Sequence, residues 1–321
     1  MRGILGGTAV IGAALVMLLL PIASAAGQVV KATPPKCSVG TNPWAPAYDP
    51  VDHEVYVPNF GTADVTGSVT VLKGTCTVAK TITLPSGSNP SAAAFDPMNN
   101  DVYVTDMSLN QVYVISGTKI VTTITDPSFD GPRGIVFDPL APAMCVTNYL
   151  NDTVSVISAL NTVAFAIPVG NGPIGIDFDS YYGTINVANY DSNNVTVYDG
   201  FTFGHIGDVP VGGGPLGVAF DIVDDLDYVT NSVTNNVSVI SYTSPVATIS
   251  GLTEPEGITW SQAQLGMFVP SGSVGKVYVL SGLSIVKKIS IPEAGLFDTY
   301  DEYNDKVYVT TPATNSVYVV S

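Results

Sequence analysis

The sequence predicts an all-β protein, and three observations support this prediction. A proline, an aromatic residue followed by aspartate, and then a strand recur seven times in the 321 residues, with a period of 40 to 47 residues. Each of the first six copies divides into four short apolar segments separated by turn residues, as β-strands do. No helical periodicity occurs outside the N-terminal segment. Repeats of about 40 residues with four strands are typical of propeller blades, so we expect a seven-bladed β-propeller with four-stranded antiparallel blades.

The seven copies share fixed internal spacings. The first six begin at Pro43, Pro90, Pro132, Pro173, Pro215 and Pro255. An aspartate lies six residues after each of the first five prolines: Asp49, Asp96, Asp138, Asp179 and Asp221. In the sixth copy Ser261 takes its place. The seventh copy has Gly295 in place of the proline and keeps the aspartate, Asp301. We name the strands of a blade A to D. The aspartate is expected to cap the A–B turn, and an asparagine after strand B to cap the B–C loop.

The seventh copy contains only three strands, because Ser321 follows directly after its strand C. The segment from Val29 to Pro43 resembles the D strands of the other copies, and its Val39-Gly40 spacing to Pro43 matches Val169-Gly170 with Pro173. We therefore expect the N-terminal strand to complete the last blade and close the ring.

The N-terminal residues have the features of a secretory signal. Arg2 gives a positive start, residues 4–22 are uncharged and mostly apolar, and Ala23-Ser24-Ala25 supplies the small residues of a cleavage site. We assign residues 1–25 to a signal peptide and residues 26–321 to the propeller. The alternative is a retained membrane anchor, because this apolar stretch is close to the length that spans a bilayer. In either case we expect the propeller to be exported.

The composition argues against several classes of function. The chain carries 27 acidic and 11 basic residues, a formal net charge of −16. Phosphate backbones and anionic membrane surfaces should repel such a chain, so no nucleic-acid partner is expected, and any membrane contact would come from the N-terminal segment. Two histidines and three cysteines leave few residues for a metal site or a catalytic triad. The composition therefore favours a scaffold or a binding protein over an enzyme.

The three cysteines allow at most one internal bridge. Cys145 lies in an apolar run and is predicted to be buried and unpaired. That leaves Cys37 and Cys76 as a candidate disulfide, as an exported chain permits. The alternative is two free thiols, because the two residues are expected at opposite ends of neighbouring D strands, roughly 20 Å apart. A disulfide needs Cα atoms within about 7 Å.

A candidate ligand site follows from the residue that starts strand A, at one mouth of the central channel. These residues are Trp44, Ser91, Arg133, Ile174, Leu216, Glu256 and Leu296. Farther along strand A, Asp177 and Asp298 replace small or apolar residues. A charge on the innermost strand must meet water or a partner. We therefore predict a polar site at the channel mouth containing Arg133, Glu256, Asp177, Asp298 and Trp44. The alternative is a hydrated channel that tolerates a few charges.

Two further groups of residues are weaker candidates. Asp221, Asp224, Asp225 and Asp227 in the fifth copy would suit a calcium ion, although such a cluster is more often a solvated turn. Calcium is the one cofactor considered, and otherwise none is expected. Asn151, Asn194 and Asn236 begin N-glycosylation sequons, all predicted in B–C loops of blades three to five.

The fifth copy contains the sequence Tyr228-Val229-Thr230-Asn231. Close variants of it occur at Tyr103 to Asp106, Cys145 to Asn148 and Tyr308 to Thr311. Over residues 28–321 the chain resembles the YVTN-family β-propellers of archaeal surface-layer proteins and YncE-like periplasmic proteins. This resemblance implies the fold and an envelope location but no particular reaction. Propeller lactonases and streptogramin lyases place histidine and glutamate, often with a divalent metal, at the channel mouth. His53 and His205 are both predicted away from that mouth.

Two functions follow from these patterns. The first is a non-catalytic scaffold, exported to the cell surface or periplasm, that contacts envelope or surface proteins or glycans. The alternative is a lactonase-like or lyase-like propeller that binds a small ligand or a divalent cation at the channel mouth.

Overall fold

The computed structural model describes residues 33–321, so the predicted signal peptide or anchor lies outside the described residues. Residues 33–321 form seven four-stranded antiparallel sheets and one short 3-10 helix, Pro312–Thr314. The predicted seven-bladed β-propeller is therefore confirmed. No helix among these residues is long and apolar enough to cross a membrane.

The strands follow the repeat in chain order. β1 is Lys36–Ser38. Blade one contains β2 (Ala47–Asp49), β3 (Glu54–Asn59), β4 (Ser68–Lys73) and β5 (Thr77–Thr83), and blade two contains β6 (Pro90–Asp96), β7 (Asp101–Asp106), β8 (Gln111–Ser116) and β9 (Lys119–Thr125). Blade three contains β10 (Pro132–Asp138), β11 (Ala143–Asn148), β12 (Thr153–Ile157) and β13 (Val163–Pro168), and blade four contains β14 (Pro173–Asp179), β15 (Thr184–Asn189), β16 (Asn194–Asp199) and β17 (His205–Pro210). Blade five contains β18 (Pro215–Asp221), β19 (Leu226–Asn231), β20 (Asn236–Ser241) and β21 (Ser244–Ser250), and blade six contains β22 (Thr259–Ser261), β23 (Gly266–Pro270), β24 (Lys276–Ser281) and β25 (Ser284–Ser290). Blade seven contains β26 (Asp298–Asp301), β27 (Lys306–Thr311) and β28 (Ser316–Val320).

The N-terminal strand closes the ring as predicted. β1 pairs antiparallel with β28, with Cys37 opposite Val317, and so becomes strand D of blade seven. The first and last described strands therefore share one sheet, and blade seven keeps four strands.

Strands B and C carry the core, because their valine and tyrosine side chains are buried on both faces of each sheet. Most side chains of β3, β11, β15 and β27, for example, are fully enclosed. Buried apolar clusters lie between neighbouring blades. Tyrosines of strand B also hydrogen-bond to the C–D hairpin of the next blade: Tyr56 donates to the Gly117 carbonyl at 2.6 Å and Tyr308 to the Gly74 carbonyl at 2.6 Å.

The repeated aspartates and asparagines cap turns. Asp179 Oδ1 accepts hydrogen bonds from the amides of Tyr181 and Tyr182 at 2.7 and 3.0 Å. Asn148 Nδ2 donates to Thr153 and Ser155 on the next strand. These side chains fix the turns of each blade, and their recurrence is structural.

The channel is narrow because the inner strands approach one another closely. A Cβ atom on Gly134 would lie 2.2 Å from the Ile174 carbonyl oxygen, and one on Gly175 would lie 2.3 Å from the Leu216 carbonyl oxygen. Only glycine fits such a contact. Strand A begins on one face of the ring and ends on the other. We call the first the mouth face, which carries the B–C loops, and the second the turn face, which carries the A–B turns and C–D hairpins.

Cys37 and Cys76 form a disulfide, with Cα atoms 5.0 Å apart, so the geometric argument against this pair is wrong. The expected separation assumed that neighbouring D strands run parallel and begin at the same level along the channel axis. Strands of a sheet rotate by about 20–25° from one to the next, and the rotation accumulates across four strands. The end of one D strand therefore meets the C–D hairpin of the following blade. Cys145 is buried and unpaired, as predicted.

We predict that this disulfide stabilises the closed ring. Reduction should lower the free energy of unfolding by about 2–4 kcal/mol, because the bond holds the three-residue strand β1 against blade one. Thermal melts with and without dithiothreitol measure the effect. A Cys37→Ser/Cys76→Ser variant should melt at the temperature of the reduced protein in both buffers. Equal melting temperatures of the wild type with and without reductant would contradict the prediction.

Candidate functional site

The mouth face opens into a central cavity of about 140 Å³. Small and branched apolar residues of the inner strands form most of its wall, including Ala92, Ile135, Ile174, Leu216 and Ile258. The polar members of the wall include Arg133 and Asp298, and Trp44 and Phe297 add two aromatic rings. A mostly apolar pocket with a few converging polar groups is the usual form of a small-molecule site.

Arg133 is the charged group at the entrance of this cavity. Its guanidinium lies 4.5 Å from the ring centre of Tyr149 and 5.7 Å from that of Trp44. Three ion pairs occur within residues 33–321, and none includes Arg133. Its Nε atom is buried without a hydrogen-bond partner. Burial lowers the pKa of Arg133, and nearby Tyr149 and Asp191 oppose this shift. The site therefore holds a cation with unused hydrogen-bonding capacity.

Trp44 and Asp298 complete the cavity wall. The indole of Trp44 stacks on Phe60 at a ring distance of 4.8 Å and contacts Phe297 at 5.7 Å. Both carboxyl oxygens of Asp298 are buried and have no hydrogen-bond partner among the described residues. Burial raises the pKa of Asp298 well above its usual value, which favours the neutral form of the carboxyl group. Arg133, Trp44 and Asp298 are thus the predicted site residues that share this cavity.

Glu256 and Asp177 were predicted at the same mouth, but neither of them lines the cavity. The Glu256 side chain lies against Gly272 of the blade-six B–C loop and does not line the cavity. Burial raises its pKa to about 7. Asp177 is the fifth residue of β14, and its Oδ2 accepts the Phe220 amide of blade five at 2.9 Å. Burial raises its pKa to about 6. Side chains of a strand alternate, so Asp177, which directly follows the cavity-lining Ile176, faces away from the channel.

A buried polar pair lies between blades four and five. At the neighbouring interfaces the corresponding residues are Cys145 with Ile185 and Tyr228 with Met267, which share apolar clusters. Asn186 and Asp227 occupy these positions, and both are almost fully buried. Both oxygens of Asp227 lack hydrogen-bond partners. Burial, aggravated by the charge of Asp179, raises the pKa of Asp227 well above its usual value.

The four candidate aspartates of blade five do not converge on one point, and calcium binding stays a prediction. Asp221 caps its turn through the amides of Val223 and Asp224. Asp224 is exposed in that turn, Asp225 has a left-handed φ of 55°, and Asp227 lies at the interface just described. Across residues 33–321, no three acidic, histidine or cysteine side chains converge as metal ligands do. Consecutive carboxylates in a tight turn and strand diverge, which sequence proximity does not reveal.

The three sequons lie on the mouth face, but only Asn151 lies in a loop. Its Nδ2 donates to the Ser128 carbonyl at 2.9 Å. Asn194 and Asn236 were predicted in loops and instead open strands β16 and β20. Their Oδ1 atoms accept hydrogen bonds from Asn189 and Asn231 of the preceding strand. Glycosylation at these three asparagines stays a prediction.

The sequence patterns did not single out Tyr149, whose ring lies by the Arg133 guanidinium, or Phe60, which stacks on Trp44. Tyr149 and Phe60 immediately follow the last residue of strand B in blades three and one. An aromatic residue at that position, shared with Tyr190 of blade four, was a readable signal. The two histidines lie away from the cavity, as predicted: His53 is in the blade-one A–B turn, and His205 starts the outer strand β17.

Comparison with known proteins defines the class of fold. No family model matches the sequence, and no curated protein matches it. Among solved structures, virginiamycin B lyase from Staphylococcus aureus is similar with a TM-score of 0.77 and 13% identity, over 89% of this chain and 98% of that one.

Two related structures give the same result. A streptogramin B lyase is similar with a TM-score of 0.76 and 14% identity, over 89% of this chain and 96% of the other. A catalytically inactive histidine-to-alanine variant of the S. aureus lyase with quinupristin has the same TM-score and identity, over 89% and 97%. At this identity the likeness shows the seven-bladed propeller fold alone. Membership of the YVTN family stays a prediction.

We predict that Asp227 makes stability depend on pH. When folding raises the pKa of a carboxyl group, that group stabilises the folded protein at pH values below its pKa in the unfolded chain. This stabilisation is lost as the pH rises through the pKa of the group in the folded protein. The Asp227→Asn variant, which carries no charge, should therefore melt higher than the wild type at pH 8 and gain less at pH 4. Thermal melts over this range test it. The exposed Asp224→Asn variant is the control, and an equal Asp227→Asn gain at both pH values would refute the prediction.

Proposed function

We propose that this protein is an exported β-propeller that binds a small anionic ligand at the mouth of its central channel. The observation that carries this proposal is Arg133. Its guanidinium is held between Trp44 and Tyr149 without a carboxylate partner. A buried guanidinium is costly unless it is paired, and its planar fork matches a carboxylate or phosphate.

The cavity limits what the ligand looks like. A volume of about 140 Å³ holds a group of a few heavy atoms below Arg133, in contact with Ile135, Ile174 and Leu216. The apolar wall favours a short hydrocarbon or an aromatic ring attached to the anionic group. At the side of the cavity, both carboxyl oxygens of Asp298 lack a hydrogen-bond partner, and the neutral form of this group would donate to an oxygen of the ligand. A small apolar carboxylic acid meets these conditions.

Binding without catalysis is supported by the residues around the cavity. Neither histidine of the chain lines it, and a general base must lie within hydrogen-bonding reach of the proton it removes. The inactive histidine variant among the similar structures indicates that those lyases need such a side chain. Arg133, Trp44 and Asp298 bind and orient a ligand but supply no base.

We predict that Arg133 supplies most of the affinity. Benzoate, butyrate and inorganic phosphate are titrated into the Trp260→Phe variant, which leaves Trp44 as the fluorescent reporter at the mouth. Benzoate or butyrate should change its emission and raise the melting temperature. Arg133→Met should weaken binding roughly ten- to hundredfold, the value of one charged hydrogen-bonded contact.

The control for this experiment is Lys119→Met, which removes an exposed cation from blade two and should bind as the parent does. Butylammonium, which has the same size and opposite charge, should not bind. If none of the three anions binds, or if Arg133→Met binds them as well as the parent, the proposed function is wrong.

A scaffold on the cell envelope is the second candidate, and the charge distribution favours it. Between Arg133 and Lys276 there are 13 acidic residues and no lysine or arginine. Consecutive blades are neighbours in the ring, so blades four and five present one acidic sector. Such a sector would attract a cationic envelope partner, and the attraction would weaken with salt.

We predict that a quadruple variant associates more weakly with isolated envelopes at low salt and that its association depends less on salt. In this variant asparagine replaces Asp191, Asp199, Asp224 and Asp225. Co-sedimentation over a salt series measures both. The Arg133→Met variant, which leaves the acidic sector intact, is the matched control. Unchanged binding of the quadruple variant would limit this sector to a solubilising role.

A further inference from the structure

The turn face carries a second cleft, on the side of the ring opposite Arg133. One part, of about 520 Å³, is lined by Tyr48, His53, Tyr300 and Tyr303 together with polar residues of blades six and seven. An adjoining part, of about 440 Å³, reaches the lower end of the channel at Trp260. The two parts share Tyr48, Tyr300 and Glu302, so they form one elongated hollow. We call it the turn-face cleft.

Its aromatic side chains are fixed before any ligand arrives. The rings of His53 and Tyr303 stack at 4.0 Å with an angle of 20° between their planes. The Tyr48 hydroxyl lies 3.0 Å from His53 Nδ1. The Tyr300 hydroxyl donates to Asp305 at 3.0 Å and accepts the Ala263 amide at 3.2 Å. These contacts join blades one, six and seven, so the aromatic surfaces lose little conformational freedom on binding.

Several side chains of the cleft have unused polar or apolar surface. Tyr303 is 67% exposed although it is held in place by His53. Glu302 makes no hydrogen bond or ion pair with any residue in the range 33–321 and is exposed. The indole Nε1 of Trp260 is buried without an acceptor. Gln262 adds an exposed amide at the edge. The cleft therefore offers flat apolar rings beside the exposed Glu302 carboxylate and the exposed Gln262 amide.

We propose that the turn-face cleft binds a neutral oligosaccharide. A sugar ring has one face of C–H groups that packs on an aromatic ring, and a rim of hydroxyls that donate to carboxylates and accept from N–H groups. The elongated hollow has room for more than one sugar unit. No lysine or arginine lines either part, while Glu302 and Asp305 do, so an acidic glycan would be repelled. This site is independent of the one proposed at the mouth.

The experiment uses the Trp44→Phe variant, which leaves Trp260 as the fluorescent reporter in the cleft. Maltohexaose, cellohexaose, laminarihexaose and mannohexaose are titrated separately, with polygalacturonate as the acidic glycan and choline as an organic cation. At least one neutral hexasaccharide should shift the emission of Trp260, and polygalacturonate should not. Isothermal titration calorimetry on the otherwise unaltered protein should give the same affinity.

Tyr303→Ala is the decisive variant, because Tyr303 is exposed and its removal leaves the core intact. It should weaken hexasaccharide binding at least tenfold. Tyr181→Ala is the matched control, because Tyr181 is 61% exposed and occupies the same position in the A–B turn of blade four. The Tyr181 amide donates to Asp179, just as the Tyr303 amide donates to Asp301. Tyr181→Ala and Arg133→Met should bind as the parent does.

Three results would overturn the proposal. Failure of all four neutral hexasaccharides to bind removes it. Equal loss of affinity in Tyr303→Ala and Tyr181→Ala assigns the effect to aromatic surface in general rather than to this cleft. A response to choline without a response to the sugars makes the cleft a site for organic cations, because aromatic rings beside carboxylates also bind ammonium groups.

Discussion

The pairing of β1 with β28 is the interaction on which the rest of this molecule depends. Every blade buries its apolar faces against two neighbours, and blades seven and one have both neighbours only when the ring is closed. The pairing itself is three residues long, which is a small contact for that task. The Cys37–Cys76 bond adds a covalent link between the same strand and blade one. Closure also fixes the position of Trp44 in the mouth cavity and the positions of Tyr48 and Tyr300 in the turn-face cleft.

Both candidate sites arise where a blade departs from the repeat. Arg133 and Tyr149 belong to blade three and Trp44 to blade one, and no other blade repeats their combination. The cavity around them stays narrow because glycines allow the inner strands to approach. Arg133 has apolar surroundings on most sides and forms no ion pair with the described residues. This is the observation on which the proposal of an anionic ligand rests.

The two faces of the ring differ in chemistry because different connections build them. The mouth face carries loops held by asparagine caps and a cationic entrance at Arg133. The turn face carries tight aspartate-capped turns, which project exposed residues such as Met98, Tyr181 and Tyr303. Between blades six and one these turns bring aromatic rings and the carboxylates of Glu302 and Asp305 together. The two faces lie about 20–30 Å apart, which is the length of one strand together with its loops. One small fold can thus present two unlike surfaces.

The sequence by itself determined the number of blades, the four strands of each, the capping residues and the closing strand, because these follow from local periodicity and turn chemistry. It also placed Arg133, Trp44 and Asp298 on the inner strand. Only the tertiary structure decided which side chains meet. The twist of the sheets brought Cys37 to Cys76, and strand alternation turned Asp177 away from the cavity. The Glu256 side chain lies against the blade-six B–C loop, and loops from separate copies supplied Tyr149 and Phe60. These contacts join residues far apart in the chain, so no local pattern of residues encodes them.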